Sequence, residues 1–259
     1  ALVGAMMRIP VVTHEQTMRP GLTNRIISRF AKRLYISWPG SDTLFAVSSS
    51  KMLLTGNPIR KSVQKVIKKL SFPDQLPLLY ITGGSLGAQT INGAIAQIIP
   101  QLVEQFNVIH QTGSANNNRD FEILRKIAIT LPDHLAKRYQ VMTHVDEDTI
   151  GWIFQTASVI VSRAGANTVS EIIATSKPSV LLPLAWSGGG EQIAHATYLS
   201  EKNAAHIILH KDLTTELLLD HIVDAYEKRE EFTSNLTDIS KTLPADAASA
   251  IADDIENLV

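Results

Sequence analysis

From about residue 76 onward, short apolar runs alternate with stretches of helical hydrophobic spacing, and this alternation most limits the possible folds. The runs predict strands at residues 78–82, 107–110, 139–142, 158–161, 179–182 and 205–208. The run at 78–82 is continuously apolar, which is typical of a parallel sheet that is covered on both faces. Strands that alternate with helices form right-handed βαβ units. The sequence therefore predicts an α/β protein with a doubly wound sheet.

The first 70 residues follow a different pattern. They predict a short strand near residues 9–13, a polar loop at 14–21 and a basic helix at 22–35. One side of that helix is apolar, with Leu22, Ile26, Phe30 and Leu34. The run Gly56-Asn57-Pro58 is a strong break, at which we place a domain boundary. These residues supply too few strands for a complete α/β domain, so we expect an N-terminal part of it to be missing.

The charge is distributed unevenly along the chain. Residues 1–70 hold 12 lysines and arginines and only two acidic residues, a net charge of +10, whereas the remainder carries −11. Such asymmetry suggests an anionic partner for the basic part, and nucleic acid, anionic lipid and a phosphate-bearing substrate would each fit. An ordinary solvated surface explains the charge slightly better when it is considered alone. Neither interleaved aromatic residues nor a known nucleic-acid module supports nucleic acid.

Composition excludes several kinds of chemistry. The chain of 259 residues contains no cysteine, which rules out disulfides, zinc–thiolate sites and thiol nucleophiles and fits a reducing cytoplasm. Its histidines are scattered without metal-ligand spacing, so no metal site is predicted. No apolar run approaches the roughly 18–20 residues that span a bilayer, and the sequence has no pattern of a signal peptide.

The run Gly83-Gly84-Ser85-Leu86-Gly87 follows a predicted buried strand and precedes a predicted helix. Glycines let backbone amides approach an anion closely, and the positive end of the helix dipole favours a phosphate there. The run lacks the lysine of a Walker loop and is not a Gly-x-Gly-x-x-Gly fingerprint. A plain strand–helix turn is the alternative, and the strand–loop–helix context favours phosphate binding.

A second run of small residues, at positions 162–171, also joins a strand to a helix. Small side chains leave room for a ligand above the carboxyl edge of a sheet. Glu171 lies in the first turns of the helix, where its carboxylate could bind both hydroxyls of a ribose. The alternative, that Arg163 and Glu171 form a surface ion pair, is about equally well supported by the spacing.

Two further polar clusters could contact a substrate. The glycines at 188–190 predict a mobile loop, after which Gln192 and His195 fall one turn apart on a helix and could bind sugar hydroxyls. A single histidine in a helix is more often structural, which weakens this interpretation for His195. The cluster at 14–21 contains His14 and Glu15, which could do acid–base work.

Taken in order, these clusters resemble the MurG family of peptidoglycan glycosyltransferases, in glycosyltransferase family 28. The similarity spans nearly the whole chain. Each short motif alone is weak evidence for the family, but the complete set in this order is specific. The matching positions are His14-Glu15-Gln16, Pro20-Gly21-Leu22-Thr23-Asn24, Gly56-Asn57-Pro58-Ile59-Arg60, Gly83-Gly84-Ser85-Leu86-Gly87-Ala88, His110-Gln111-Thr112-Gly113, Ser162-Arg163-Ala164-Gly165-Ala166, Thr168, Glu171, Pro178, Pro183 and Gln192.

The resemblance implies a GT-B fold of two Rossmann-like domains, the N-terminal one incomplete because about the first hundred family residues are missing. Residues 1–58 would belong to the acceptor and membrane-facing domain, and residues 59–244 would bind the UDP-sugar donor. Residues 245–259 would form a helix that crosses back to the first domain. The implied activity is metal-independent, cofactor-free, inverting transfer of N-acetylglucosamine from UDP-N-acetylglucosamine to lipid I, which makes lipid II for cell-wall biogenesis, cell shape and division.

The resemblance also implies roles for individual residues. On the donor side, Ser85 and its glycines would hold the UDP phosphates, Val145 and His144 would meet uracil, and Glu171 would bind the ribose. On the acceptor side, His14 is the candidate base, in a loop that faces the cleft. The full donor set is Thr17, Arg60, Gly83, Gly84, Ser85, Gly87, Val145, Arg163, Gly165, Ala166, Asn167, Thr168, Val169, Ser170, Glu171, Gln192 and His195; the acceptor set is His14, Glu15, Gln16 and Asn24.

Three departures from the family pattern affect the sugar contacts. Thr17 stands where asparagine is usual, Glu191 precedes Gln192 where histidine is usual, and His195 replaces an asparagine. The implied partners are a UDP-sugar, a lipid-pyrophosphate acceptor and, through residues 1–70, an anionic membrane surface, with no nucleic acid. The implied location is peripheral, at the cytoplasmic face of the plasma membrane. A different GT-B transferase for a glycolipid or small acceptor, and a non-catalytic UDP-sugar-binding module, remain alternatives.

Overall fold

The computed structural model describes residues 1–84 and 87–258. Within that part of the chain the strands form two parallel sheets. The small sheet contains β1 (Val12–Glu15), β2 (Arg33–Ile36) and β3 (Met52–Leu54). The large sheet contains six strands, β4 (Leu78–Thr82), β5 (Asn107–Gln111), β6 (Tyr139–Met142), β7 (Ala157–Ser162), β8 (Ser179–Leu181) and β9 (His206–Ile207). The predicted α/β class and all six predicted strands of the regular part are confirmed.

Helices connect the strands and cover the large sheet. Three of them begin at a side chain that accepts a hydrogen bond from a backbone N–H of the first turn, namely Asp146, Thr214 and Asp246. The helices are α1 (Leu2–Met6), α2 (Leu22–Phe30), α3 (Gln89–Gln105), α4 (Arg119–Thr130), α5 (Asp133–Ala136), α6 (Glu147–Thr156), α7 (Ala166–Thr175), α8 (Glu191–Glu201), α9 (Thr215–Glu227), α10 (Arg229–Ser240) and α11 (Ala247–Glu256).

Side chains of the large sheet alternate between two apolar cores. In β4, Leu79 and Ile81 pack with α3, α4 and α9, whereas Leu78 and Tyr80 pack with α6, α7, α8 and α10 on the other face. All five residues of β4 are buried. Burial of both faces explains why the strand sequence is continuously apolar, since each position must satisfy one core or the other.

The order of strands in the large sheet is β6-β5-β4-β7-β8-β9, and all are parallel. The chain starts in the middle at β4, winds outward through β5 and β6, and then returns to the other side of β4 with β7. Loops after β4 and β7 therefore leave the sheet in opposite directions and open a crevice between them at the carboxyl edge. This is the position at which doubly wound sheets bind ligands.

The predicted helix over residues 22–35 is wrong in its last turns. Helix α2 ends at Phe30, Ala31 is extended, and residues from Arg33 onward form β2 between β1 and β3. Leu34, predicted to extend the apolar side of the helix, is buried in the small sheet instead. Pairing with two neighbouring strands is a long-range interaction, and it overrides the helical spacing of this short segment. Consequently α2 keeps Leu22, Ile26 and Phe30 exposed.

The last helix contacts the small sheet. Asp254 of α11 accepts hydrogen bonds from Arg33 Nε at 2.7 Å and Nη2 at 3.0 Å, and from the Tyr35 hydroxyl at 2.9 Å. Lys32 Nζ also donates to the carbonyl oxygen of Leu258. These contacts join the carboxyl end of the described chain to β2, more than 200 residues earlier in the sequence.

We expect Asp254→Asn to lower the free energy of unfolding by about 1 kcal/mol at pH 7, because it removes the charge from a two-bond pair with Arg33 that is partly open to solvent. The pKa of Asp254 is lowered by its hydrogen bond to Arg33. The stabilisation is therefore present above the ordinary carboxyl pKa of about 3.9 and is lost as the pH falls further. Urea unfolding at pH 7 and pH 3 measures both.

The matched control is Asp253→Asn, which changes an exposed neighbour on the same helix. An equal loss of stability in both variants, or a loss in Asp254→Asn that is as large at pH 3 as at pH 7, would contradict the assigned role of the Arg33–Asp254 pair.

Candidate active site

A cavity of about 570 Å³ lies at the crevice between β4 and β7. Residues from the ends of β4 and β5, from α6 and from the start of α7 line it on the large-sheet side, and residues near the small sheet close the other side. The lining residues are Gln16, Thr17, Pro58, Arg60, Tyr80, Thr82, Gly84, Gln111, His144, Ile150, Phe154, Gly165, Ala166, Asn167, Thr168, Glu171 and Glu191. Eight of the predicted donor residues and Gln16 of the predicted acceptor set meet in this cavity.

The amino end of α7 faces the cavity with small residues. Gly165 precedes the helix and caps it without a side-chain hydrogen bond, in contrast to the capped helices α6, α9 and α11. Gly165, Ala166, Asn167 and Thr168 all line the cavity. First-turn N–H groups have no partner within a helix, and the helix dipole makes this end positive. The arrangement suits a ligand that brings oxygen acceptors close to the backbone.

Glu171 places a buried carboxylate at the cavity. Its residue surface is only 4% exposed, and its two oxygens accept hydrogen bonds from Arg60 Nε at 2.7 Å and Nη2 at 3.0 Å. The bond to Glu171 raises the pKa of the Arg60 guanidinium. Glu171 therefore does form an ion pair, but with Arg60 and not with Arg163, the partner considered from the sequence. Arg163 instead donates to the carbonyl oxygen of Leu182.

The glycine loop after β4 approaches other backbone closely. Gly87 has φ of +84°, and a Cβ added to it would lie 2.1 Å from the carbonyl oxygen of Thr112. Gly84, also at positive φ, lines the cavity, and its N–H donates to Thr82 Oγ1. Ser85 and Leu86 lie outside the described residues, so the phosphate contact predicted for Ser85 stays a prediction.

Gln111 is a site residue that sequence reasoning missed. Its Oε1 accepts from the N–H of Val145 at 3.0 Å and from the Tyr80 hydroxyl at 3.3 Å, and its Nε2 donates to the carbonyl oxygen of Gly84. One buried amide thus ties together the loops that follow β4 and β6. A polar residue directly after the predicted strand at 107–110 was the available signal.

The loop after β1 forms the opposite wall. Glu15 accepts hydrogen bonds from the N–H and hydroxyl of Thr17, from the N–H of Gly21 and from Asn24 Nδ2. Both carboxylate oxygens are therefore engaged in shaping the loop, and the acid–base role considered for Glu15 stays an untested prediction. Gln16 and Thr17 line the cavity as a result.

His14 is engaged in the fold as well. Its Nε2 lies 2.9 Å from the hydroxyl of Ser37 and 3.2 Å from the carbonyl oxygen of Gly56, and burial lowers its pKa. Among the described residues His14 is not one of those that line the cavity. Its nomination as the catalytic base therefore has no support from its position and stays an untested prediction.

Two residues of the predicted donor set are buried away from the cavity, and their contacts with a donor stay untested predictions. The side chain of Val169 is fully buried in the core beneath α7, and His195 is fully buried against Met18, Trp38 and Ala164. A helix turns its side chains in all directions, so not every residue of a small-residue run can face one ligand. Neither side chain reaches the cavity.

Other predicted donor residues contact the protein itself. Ser170 Oγ donates to the carbonyl oxygen of Ala166, Gln192 Oε1 accepts from the N–H of Leu184, and the Val145 N–H is bound by Gln111. Gly83 shapes its loop, because a Cβ there would lie 2.2 Å from Ala88 N. Their roles toward a ligand stay predictions.

Glu191, another residue that sequence reasoning did not select, lies between two cavities. It lines the cavity at the crevice and also a neighbouring one of about 940 Å³, which extends along the loop at residues 15–25. Burial, with a further contribution from the charge of Glu15, raises the pKa of the Glu191 carboxyl. A carboxylate of raised pKa between two cavities can accept a proton from a group in either one.

Comparison with known proteins identifies the family. Residues 78–253 match the family described as glycosyltransferase family 28 C-terminal domain. The chain belongs to glycosyltransferase family 28. This confirms the resemblance found in the sequence motifs.

Curated relatives are named UDP-N-acetylglucosamine--N-acetylmuramyl-(pentapeptide) pyrophosphoryl-undecaprenol N-acetylglucosamine transferase. The protein of Treponema denticola is 36% identical over 220 residues, which are 82% of this chain and 56% of the relative. That of Clostridium tetani is 29% identical over 246 residues, 92% of this chain and 64% of the relative. The chain thus spans less than two thirds of the length of these relatives.

Solved structures agree with the family. Acinetobacter baumannii MurG, at 27% identity, has a TM-score of 0.76 over 99% of this chain and 70% of its own. The glycotransferase of kitacinnamycin, at 14% identity, has a TM-score of 0.70 and supports the fold alone. The fold is GT-B, as the motifs implied.

Among the described residues, no group of three or more histidine, aspartate or glutamate side chains is placed to hold a metal ion. No helix in the same residues combines the length and the apolar character needed to cross a bilayer.

We expect Arg60→Met to reduce the free energy of unfolding by about 1–3 kcal/mol, because it leaves the buried Glu171 carboxylate without its charged partner. Adding Glu171→Gln to that variant should restore part of the loss, since the charge that needs a partner is then gone. A double-mutant cycle by urea unfolding measures the coupling.

The control cycle pairs Arg163→Met with Glu171→Gln. Arg163 is bound to Leu182 rather than to Glu171, so these two changes should be additive. Additivity in the Arg60 cycle as well would refute the ion pair.

Proposed function

We propose that this chain is the donor-binding part of an inverting glycosyltransferase that transfers N-acetylglucosamine from UDP-N-acetylglucosamine to lipid I, forming lipid II. The observation that carries the proposal is the cavity at the carboxyl edge of the large sheet, where the buried carboxylate of Glu171 and the amino end of α7 meet. The names of the family 28 relatives supply the donor and the acceptor.

In this proposal UDP lies across the crevice from α7 to the glycine loop. The Glu171 carboxylate accepts hydrogen bonds from the ribose hydroxyls, and the small residues 165–168 leave room for the nucleoside. His144, which lines the cavity, lies on the uracil side together with Val145. The diphosphate lies toward Gly84, Ser85 and the amino end of α3, where backbone N–H groups and the helix dipole favour negative charge.

Ribose binding requires the Arg60–Glu171 pair to rearrange. Both carboxylate oxygens are occupied by the guanidinium in this structure. A guanidinium displaced from Glu171 stays beside the cavity, because Arg60 itself lines it. We propose that it then binds a phosphate oxygen and stabilises the negative charge that develops on UDP as it leaves.

The transfer is a single displacement. The acceptor hydroxyl attacks the anomeric carbon of the sugar as the bond from that carbon to the β-phosphate oxygen breaks, and a base takes the hydroxyl proton. By the logic of inverting glycosidases, the base must lie on the acceptor side of the sugar. We propose Glu191 for this role, because it lines both cavities, whereas His14 Nε2 is held by Ser37 and Gly56.

We expect Glu171→Gln to weaken UDP binding about tenfold or more, since hydrogen bonds to a charged group contribute about 1.5–3 kcal/mol. Calorimetry with UDP, UDP-N-acetylglucosamine and UDP-glucose measures the affinity and the sugar preference. Glu231→Gln, at an exposed position on α10, is the matched control and should bind as the wild type does.

Unchanged UDP affinity in Glu171→Gln would remove Glu171 from the ribose role. Tighter binding of UDP-glucose than of UDP-N-acetylglucosamine would favour a different GT-B transferase. Binding of UDP-sugar with no transfer to lipid I in the full-length protein would favour a binding module.

We also propose that the protein works as a peripheral protein at the cytoplasmic face of the plasma membrane. Helix α2 supports this, because it exposes Leu22, Ile26 and Phe30 and also Arg25 and Arg29. Apolar side chains flanked by arginines suit the interface of an anionic bilayer. The net charge of +10 on residues 1–70 adds a longer-range attraction.

Replacing Leu22, Ile26 and Phe30 together by serine should reduce cosedimentation with phosphatidylglycerol vesicles at least tenfold. The reason is the loss of the apolar area that enters the bilayer, at roughly 25 cal/mol per Å². Ile129→Ser, at a position on α4 that is 75% exposed, is the control and should sediment like the wild type. An equal effect of both variants, or none of either, would argue against a membrane role for α2.

A further inference from the structure

His195 joins the two sides of the active-site crevice. It lies on α8, beside the large sheet, and is fully buried. Its Nδ1 lies 3.0 Å from the carbonyl oxygen of Ala164, just before α7, and its Nε2 lies 3.2 Å from the backbone nitrogen of Met18, in the loop after β1. A carbonyl can only accept and an N–H can only donate. These partners therefore assign a neutral ring with its proton on Nδ1 and its lone pair on Nε2.

Trp38 supports the contact between His195 and the loop after β1. The Trp38 ring stacks on the His195 ring with centroids 5.1 Å apart and an angle of 20° between the planes. Tyr198 packs edge-on against the Trp38 ring, with centroids 5.4 Å apart. The indole Nε1–H donates to the carbonyl oxygen of Gln16 at 3.0 Å. In addition to the Glu15 bonds within it, the loop is thus held at two backbone atoms by this pair of rings, the Gln16 oxygen by Trp38 and the Met18 nitrogen by His195.

The two residues held between these anchors form part of the donor cavity. Gln16 and Thr17 line it on the side opposite α7. The Glu15 bonds hold Thr17 within the loop, whereas the bond from the Met18 N–H to His195 Nε2 ties the loop to α8. Only the neutral ring can accept that bond, so the link between this wall and the large-sheet side depends on it, together with the contact of Arg19 Nη1 with the carbonyl oxygen of Gly189 at 3.4 Å.

We propose that neutral His195 is a latch that positions the Gln16–Thr17 wall of the cavity, and that protonation of its ring releases this wall. His195 is a positioning residue in this proposal, since it touches the loop and not the substrate. That the released wall lowers affinity for a UDP-sugar rests on the proposed function. The latch itself rests only on the contacts of His195 and Trp38.

Protonation of His195 removes the acceptor of the hydrogen bond from the Met18 N–H. The imidazolium carries an N–H at Nε2, which would face the N–H of Met18, so two donors would oppose each other in a buried site. Burial lowers the pKa of His195, while the bond to Ala164 and the charge of Glu15 act in the opposite direction. The neutral His195 ring therefore contributes its full stabilisation of the fold above the ordinary histidine pKa of about 6.5. This stabilisation is lost as the pH falls below that value.

The charged and titratable groups around the ring come from each element packed against it. Glu15 at the end of β1 acts on it directly, Glu191 lies one turn earlier on α8, and Tyr198 lies one turn later. Arg19 follows Met18, and Arg163 precedes Ala164. Only His195 among these groups has an ordinary pKa between pH 5 and 8, so it is the group that responds in that range.

The test follows Trp38 and the Met18 amide without any nucleotide. In a Trp152→Phe, Trp186→Phe background Trp38 is the sole tryptophan, and a protonated imidazole stacked on it quenches its fluorescence. We expect fluorescence to fall, and hydrogen-exchange protection of the Met18 amide to drop about five- to tenfold, as the pH is lowered from 7.5 to 5. That drop corresponds to the loss of one hydrogen bond, about 1 kcal/mol.

Two variants separate the latch from simple packing. His195→Phe keeps an aromatic ring on Trp38 but has no acceptor, so Met18 protection should already be low at pH 7.5 and should not change with pH. His195→Gln, whose amide oxygen can accept from Met18, should retain protection without the pH step. His210→Phe, at an exposed histidine, should keep the wild-type step.

The proposal is overturned if Met18 protection in the wild type shows no step, or if the step survives in His195→Phe. Should His195→Phe fail to fold, the wild-type step and its loss in His195→Gln decide the matter. UDP calorimetry at pH 7.5 and 5 then tests the link to function separately. A latch that opens in a chain that does not bind UDP would leave the His195 assignment intact and refute the proposed function alone.

Discussion

The double burial of the large sheet is the constraint on which the rest of the structure depends. Because helices cover both faces, the central strands have almost no surface at which to present polar groups, and β4 is buried along its whole length. Groups that can meet a ligand are thereby restricted to the strand ends. The strand order then selects one of these ends, since loops after β4 and β7 diverge only at the point where the winding reverses.

Within this crevice, the electrostatics are set by one buried carboxylate. A charge that is withdrawn from water needs a partner, and the free protein provides Arg60 to Glu171 from the far side of the crevice. A ligand with two hydroxyl groups can replace the two N–H donors of the guanidinium one for one. In the proposed function, this exchange of partners would keep the carboxylate hydrogen-bonded in both states and would free the Arg60 guanidinium to bind a phosphate of the same ligand.

Features set by neighbouring residues could be predicted from the sequence, whereas contacts between distant residues could not. Strands such as 78–82 follow from local apolar runs and were predicted to the residue, and the crevice follows from alternation of strands and helices. The helix predicted for residues 31–35 was wrong, because the pairing of this segment with β1 and β3 is not encoded in its local sequence. Contacts of Arg60 with Glu171 and of Met18 with His195 join residues more than 100 positions apart. No spacing rule connects such pairs, so the sequence could select Glu171 but not its partner.

Two of the polar contacts across the crevice have opposite roles in the proposals made above. Arg60–Glu171 would exchange a partner when a ribose binds, whereas His195–Met18 would have to persist for Gln16 and Thr17 to keep their place in the cavity wall. The first contact lies inside the cavity and is open to competition from solutes. The second involves a fully buried ring, and the proposed signal that breaks it is a proton. In these two proposals, nucleotide and pH would act on opposite walls of one cavity through separate groups.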